Sequence, residues 1–217
     1  MAGLTRIRER RAIIAACLRM NAEGLNQGTS GNVSVRAPGG MLITPSGVPY
    51  AETDPAQIVF VAEDGAWSGD WRPSSEWRMH RDIYRPRPEA EAVVHVHSTC
   101  ATALSCLRRG IPAFHYMVAA AGGRDIRCAD YATFGSQELS DATIAALDGR
   151  RACLLANHGQ IAFGPSLEQA LWLAGEVEAL ARQLVAAESL GPPVILPDEE
   201  MDRVMARFRD YGSSGRR

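Results

Sequence analysis

The sequence contains no lysine: all 23 of its basic residues are arginine. That absence rules out a Schiff-base nucleophile, a covalently held pyridoxal phosphate and the lysine of a phosphate-binding P-loop, each of which needs a primary amine. A carbonyl activated by this chain must be polarised by some other electrophile. Dinucleotide binding lacks its signature too, since no Gly-x-Gly-x-x-Gly run follows a strand-like segment.

Cysteine is sparse. Cys17, Cys100, Cys106, Cys128 and Cys153 are scattered, odd in number and without a Cys-x-x-Cys pair. A disulfide framework and a structural zinc knuckle are therefore not expected, and the thiols read as buried and reduced. Long apolar runs are missing as well. Arg6, Arg8, Arg10 and Arg11 are followed only by Ala12 to Leu18 before Arg19, which is not the apolar stretch of a secretory signal. Nothing approaches the roughly 20 apolar residues that span a bilayer, so the cytoplasm is the expected compartment. A net charge of -2 offers no footprint for nucleic acid and no polybasic patch for a membrane.

What is present suits one buried domain over residues 1–217, with 46% hydrophobic residues. Residues 4–23 place Ile7, Ile14, Cys17 and Leu18 on one face of an opening helix, with arginines between them. Strands are expected at 33–36, 41–44, 58–62, 92–97, 152–156 and 160–163, several of them joined by short turns. Ser74 or Ser75 reads as the N-cap of a helix that runs to about Tyr84, with Glu76 in its first turn. Ser98-Thr99 opens a short helix through Leu107. A long helix covers 167–190 and ends at Gly191-Pro192-Pro193, and a final one covers 197–209. This mixture lacks a regular βαβ cadence and favours a mostly antiparallel sheet covered by helices.

His95 and His97 alternate on a strand, so both imidazoles project from one face while Val96 points the other way. His158 follows the apolar stretch Ala152 to Ala156 and precedes Gly159, where a loop turns at a sheet edge. Three imidazoles leaving one open position make the ligand set of a catalytic cation. Glu76 reads as a helix-end anion, a fourth ligand or a general base beside that cation. His80, four residues on, reads as solvated surface. Three loops, Gly28-Thr29-Ser30-Gly31-Asn32, Thr44-Pro45-Ser46-Gly47 and Ser74-Ser75, offer hydroxyls and backbone amides. Together, in a chain without lysine, they form a candidate phosphate cradle.

Seven motifs in register carry a wider resemblance. They are Asn26 to Arg36 (NQGTSGNVSVR), Leu42 to Gly47 (LITPSG), Pro73 to Trp77 (PSSEW), His95 to His97 (HVH), His115 to Gly123 (HYMVAAAGG), Tyr131 to Gly135 (YATFG) and Asn157 to Gly159 (NHG). Over residues 5 to 212 the chain resembles the class II aldolase/adducin family. The resemblance implies an α/β fold, a three-layer α/β/α sandwich with a mostly antiparallel central sheet, in homotetramers with active sites at subunit interfaces. It implies one divalent metal held by His95, His97 and His158, with Glu76 as a further ligand and the acid/base. Zinc suits these donors, and manganese or cobalt would fit the same site. Asn32, Ser46, Gly47, Ser74 and Ser75, beside Gly31, match phosphate contacts. Tyr116 matches a tyrosine supplied by the neighbouring subunit, Phe134 part of an aldehyde pocket, and Tyr211 a C-terminal tyrosine that closes over it.

The implied reaction is reversible cleavage of a ketose 1-phosphate to dihydroxyacetone phosphate and a short aldehyde. The ketose is of the L-fuculose, 5-deoxyribulose or 5-methylthioribulose 1-phosphate type, and the only partner expected beyond other copies of the chain is this small sugar phosphate. Other enzymes of the scaffold stand as alternatives: a methylthioribulose-1-phosphate dehydratase, a 4-epimerase or a decarboxylase. A non-catalytic module like the adducin head would be expected to lack the imidazoles, which this chain keeps.

Overall fold

A computed structural model of the chain describes residues 5–210. Its centre is a seven-stranded sheet in the order β3-β2-β1-β4-β7-β6-β5. The strands are β1 (Asn32–Ala37), β2 (Gly40–Ile43), β3 (Val59–Ala62), β4 (Ala92–Val96), β5 (Cys128–Ala129), β6 (Ala152–Leu155) and β7 (Gly159–Gly164). Every pairing in the sheet is antiparallel except β5 with β6. Gly39, at φ 75°, turns β1 into β2 in the left-handed region that glycine enters freely.

Period-two alternation sends side chains to two apolar layers. Val33, Val94, Val96, Leu154 and Ala162 join one core, beneath α1 (Ile7–Ala22), α3 (Thr99–Cys106), α5 (Leu167–Leu190) and α6 (Asp198–Asp210). Val93, Cys153, Leu155, Ile161 and Phe163 join the other, beneath α2 (Trp77–Tyr84) and α4 (Gln137–Ala146). The expected α/β/α sandwich is thus the fold, and β4, buried along its whole length, lies at its middle.

Several expectations need correction. The first helix begins at Ile7 and turns Ile13, Ala16, Cys17 and Met20 inward, leaving Leu18 exposed. β5 and α4 were not anticipated: two residues are too few to show alternation, and α4 buries Ser140, Thr143 and Ala146 beside Leu139, a face too polar for an apolar stripe. Ser98 precedes α3 but makes no side-chain cap. The Glu178 carboxylate of α5 takes the Cys100 and Ala101 N–H groups instead. Only Cys17 and Cys153 are buried; Cys100 and Cys128 are half-buried and Cys106 is exposed. No helix among the described residues is long and apolar enough to cross a membrane.

Candidate active site

β4 delivers His95 to the face covered by α2, and His97 follows just past the strand's end. Register places Asn32 of β1 beside His95 on one side and Ile161 of β7 on the other. His158 comes from the turn between β6 and β7, where Asn157 adopts φ 53° and the His158 N–H returns to the Leu155 carbonyl at 3.0 Å. Both strands are interior to the sheet, so His158 sits at a strand end and not at a sheet edge. Glu76 is the N-cap residue of α2 and does not lie in its first turn; neither Ser74 nor Ser75 caps that helix.

The three imidazoles form a near-equilateral triangle. Their centroids stand 4.8–4.9 Å apart and their planes are tilted by 70–84°. The His95 and His97 Nε2 atoms are 3.0 Å apart. Glu76 closes the cluster, with Oε2 3.2 Å from His95 Nε2 and Oε1 3.2 Å from His158 Nε2. One donor atom from each histidine lies within 4.8 Å of the others. Zinc–nitrogen bonds of about 2.0–2.1 Å in a tetrahedron put donors about 3.4 Å apart, so the set fits a divalent cation. The His95 Nδ1–H donates to the Gln160 carbonyl at 2.8 Å, which aims Nε2 at the cluster. Glu76 Oε1 is buried without a hydrogen-bond partner among the described residues, a free acceptor aimed into the same space.

The electrostatics agree with a site for positive charge. Burial alone would raise the Glu76 carboxyl, but His95, His158 and the Asn32 amide outweigh it and hold the group below the usual carboxylate range. Burial pushes His97 down to about 4, with the neighbouring imidazoles adding to the effect. His158 is likewise lowered by burial to about 4. Both are neutral near pH 7, as metal ligands must be.

The candidate phosphate loops meet beside this cluster. The Ser74 N–H donates to the Thr44 carbonyl at 2.9 Å and the Ser46 N–H to the Arg72 carbonyl at 3.0 Å, stitching two of them together. Ser46, Gly47 and Ser75 are exposed there, whereas Ser74 is buried and its Oγ accepts the Glu76 N–H at 3.3 Å. Gly31 and Asn32 are buried, and the Asn32 amide donates to Glu76 Oε2 at 2.8 Å. A cavity of about 340 Å³ opens over Glu76, His97 and His158, with Ser75 and Phe134 in its wall. Tyr116 is not in that wall. It lies half exposed on the 3₁₀ helix Tyr116–Ala121, which packs on α5 and α6. Tyr211 lies outside the described residues.

Other residues enter only with the structure. His80 is not solvated surface: it is fully buried and hydrogen-bonded at both ring nitrogens. Gln160 is the one polar side chain in the apolar strand β7, and its amide donates to Ser98 Oγ and the Ala174 carbonyl. Asn26 accepts the His97 N–H at 3.1 Å, and Tyr131 and Asn157 line the cavity. Arg72 and Arg78 flank Ser46 and Ser75 in an adjoining groove, cations beside the hydroxyl loops.

Known proteins match this chain along most of its length. The family model for the Class II Aldolase and Adducin N-terminal domain matches residues 11–185. The 5-methylthioribulose-1-phosphate/5-deoxyribulose-1-phosphate aldolase of Rhodospirillum rubrum is 52% identical over 210 residues, covering 97% of this chain and 95% of its own. The L-fuculose phosphate aldolase of Escherichia coli K12 is 52% identical over 203 residues, covering 93% of this chain and 94% of its own. Among solved structures, an L-fuculose 1-phosphate aldolase superposes with a TM-score of 0.92 at 40% identity, over 96% of this chain and 100% of that one. The chain belongs to the class II aldolase and adducin family.

Proposed function

We propose that this chain is a metal-dependent aldolase, a single catalytic domain that cleaves a ketose 1-phosphate reversibly to dihydroxyacetone phosphate and a short aldehyde. The convergence of His95, His97, His158 and Glu76, the last three of which line a cavity bordered by Thr29, Ser30 and Ser75 of the hydroxyl loops, carries the reading. Relatives named for aldolases of this kind, each 52% identical, support it. The three imidazoles would hold one divalent cation, zinc by donor type, with manganese or cobalt as substitutes. Bound there, such an ion supplies Lewis acidity to a substrate carbonyl, the task a lysine imine performs elsewhere.

The chain's own residues then have distinct tasks. Ser46, Gly47, Ser75 and the loop amides around Gly31, Asn32 and Ser74 bind the phosphate, while the Asn32 side chain donates to Glu76. Glu76 moves the proton at the substrate carbon that becomes the methylene of dihydroxyacetone phosphate. Tyr116 of a neighbouring subunit takes the proton of the hydroxyl on the departing aldehyde. That assignment supports a homotetramer with shared sites, because Tyr116 stands half exposed and away from its own subunit's cavity. Phe134 and Tyr211 would contact the aldehyde. Scattered free thiols agree with a cytoplasmic setting.

The test is product analysis with zinc-loaded enzyme on L-fuculose, 5-deoxyribulose and 5-methylthioribulose 1-phosphates. Release of dihydroxyacetone phosphate from at least one is expected, and the ratio of kcat/KM values ranks them. Loss of water, epimerisation or decarboxylation without dihydroxyacetone phosphate would replace the aldolase reading with another enzyme of the scaffold.

A further inference from the structure

Behind Glu76 runs a line of buried hydrogen bonds that the proposed chemistry does not use directly. Asn32 Nδ2 donates to Glu76 Oε2 at 2.8 Å. Asn32 Oδ1 meets His80 Nε2 at 2.5 Å, His80 Nδ1 meets Ser34 Oγ at 2.7 Å, and Ser34 Oγ meets the Tyr84 hydroxyl at 2.8 Å. All five side chains are buried, His80 and Ser34 completely. α2 contributes His80 and Tyr84 one turn apart, and β1 contributes Asn32 and Ser34 on one face of the sheet.

The direction of every bond follows from donor and acceptor inventory. An ionised carboxylate only accepts, so the Asn32 amide nitrogen faces Glu76 and its carbonyl oxygen faces His80. That oxygen also only accepts, so His80 carries its proton on Nε2. Burial keeps the ring neutral, lowering its pKa to about 3 with help from His95 and against the pull of Glu76. Nδ1 is then an acceptor, which the Ser34 hydroxyl must satisfy, and Tyr84 donates in turn to Ser34. Every donor points toward the carboxylate. Reversing any one would set two acceptors or two donors face to face between buried side chains, leaving both without a partner.

We propose that His80 is a positioning residue for Glu76: its Nε2–H, its tautomer set by Ser34 and Tyr84, locks the Asn32 carboxamide with its NH₂ toward the acid/base carboxylate. The carboxylate is thereby fixed at Oε2 while Oε1 stays free on the side of the imidazole cluster. Without the lock the Asn32 amide can turn its oxygen to Glu76 and push the carboxylate out of line. The inference rests on the proton-transfer role given to Glu76 above.

The experiment combines kinetics of the zinc-loaded enzyme with histidine ¹⁵N spectroscopy. In the wild-type protein at pH 7, His80 is expected as the neutral Nε2–H tautomer; an Nδ1–H tautomer or a charged ring overturns the proposal whatever Glu76 does. His80→Leu should lower kcat on the order of 10- to 100-fold with zinc content and KM changed less than threefold. His80→Gln, whose amide places an N–H near the same point, should recover most of that loss. If His80 acts through Asn32, Asn32→Ala with His80→Leu is no slower than Asn32→Ala alone, within about twofold. Multiplying losses, or no recovery with glutamine, overturn the proposal.

Should leucine prevent folding, Ser34→Ala removes one hydroxyl and should mix the His80 tautomers and lower kcat. An unchanged tautomer and rate there overturn the proposal as well. Glu76→Gln separates the two ideas. If it turns over normally, the acid/base reading fails while the tautomer result stands; if it is inactive and His80→Leu is not, only the lock fails.

Discussion

Glu76 Oε2 and His95 Nε2 face each other across 3.2 Å with both side chains buried. A carboxylate and an imidazole enclosed together leave little room for uncompensated charge. Burial would lower His95, but the charge of Glu76 and its hydrogen bond raise it instead, so each depends on the other. Glu76→Gln keeps the shape and removes the ionisable oxygen. The three imidazoles should still hold zinc, while kcat for ketose 1-phosphate cleavage falls roughly 10²–10⁴-fold, the usual weight of a positioned acid/base. A zinc-loaded variant with the wild-type rate would take proton transfer away from Glu76.

Metal removal gives the second prediction. Chelation should abolish cleavage, and re-addition of zinc should restore it. An ion held by these residues would bind a site assembled from β4, the β6–β7 turn and the start of α2, and so would bind the folded chain in preference to the unfolded one. At free zinc 100-fold above Kd the linkage is about 2.7 kcal/mol, or a Tm higher by roughly 5–10 °C for a chain of this size. His97→Ala should lose both the activity and the zinc-dependent rise in Tm. Full activity in excess chelator, or in His97→Ala, would contradict a metal-dependent reaction.

A glycine tests the geometry from behind. A Cβ on Gly159 would lie 2.5 Å from the Val96 carbonyl oxygen, 3.0 Å from His97 Cδ2 and 3.4 Å from His95 Cε1. The first neighbour is backbone of the adjacent strand and cannot rotate away. Gly159→Ala should therefore destabilise by about 1–3 kcal/mol through overpacking and weaken zinc binding at least tenfold by displacing the His97 imidazole. Zinc affinity equal to wild type by competition titration would show that the ligands are not held by this contact.

How much of this was legible beforehand depended on what kind of signal each residue carried. Val93, His95 and Val96 sit in a run whose alternation names the strand, and a His-x-His there is visible as two imidazoles on one face. The hydroxyl loops were marked by glycine and serine, and the order of seven motifs named the family. His80 reads as solvated because Arg78, Arg81 and Asp82 surround it in a helix rich in charge; its burial depends on Ser34 and Asn32 of a strand 46 and 48 residues away. Helix α4 went unseen because it buries Ser140 and Thr143, which pattern cannot tell from surface. Gln160 orients His95 through its main-chain carbonyl, a group every residue carries and no sequence singles out.

The same limit applies to Asp82, whose partners lie on two helices. Its Oδ1 accepts from Arg81 Nε at 2.8 Å and Arg85 Nη1 at 3.1 Å, and its Oδ2 from Gln137 and Ser140 of α4, each at 2.8 Å. Burial alone would raise the Asp82 carboxyl, but the hydrogen bonds from Arg81, Gln137 and Ser140 outweigh it and lower its pKa. The sign of the linkage follows. A carboxyl whose folded pKa lies below its unfolded value of about 3.9 adds stability above that value and loses it as pH falls through the folded one. Asp82→Asn should cost about 1.5–3 kcal/mol at pH 7, the weight of a charged hydrogen bond, since an amide turns N–H groups toward other donors. In urea unfolding of the zinc-free protein, the gap between wild type and variant should narrow as pH drops from 5 toward 3. A gap that stays constant over that range, or widens, would mean that Asp82 joins α2 to α4 without its charge.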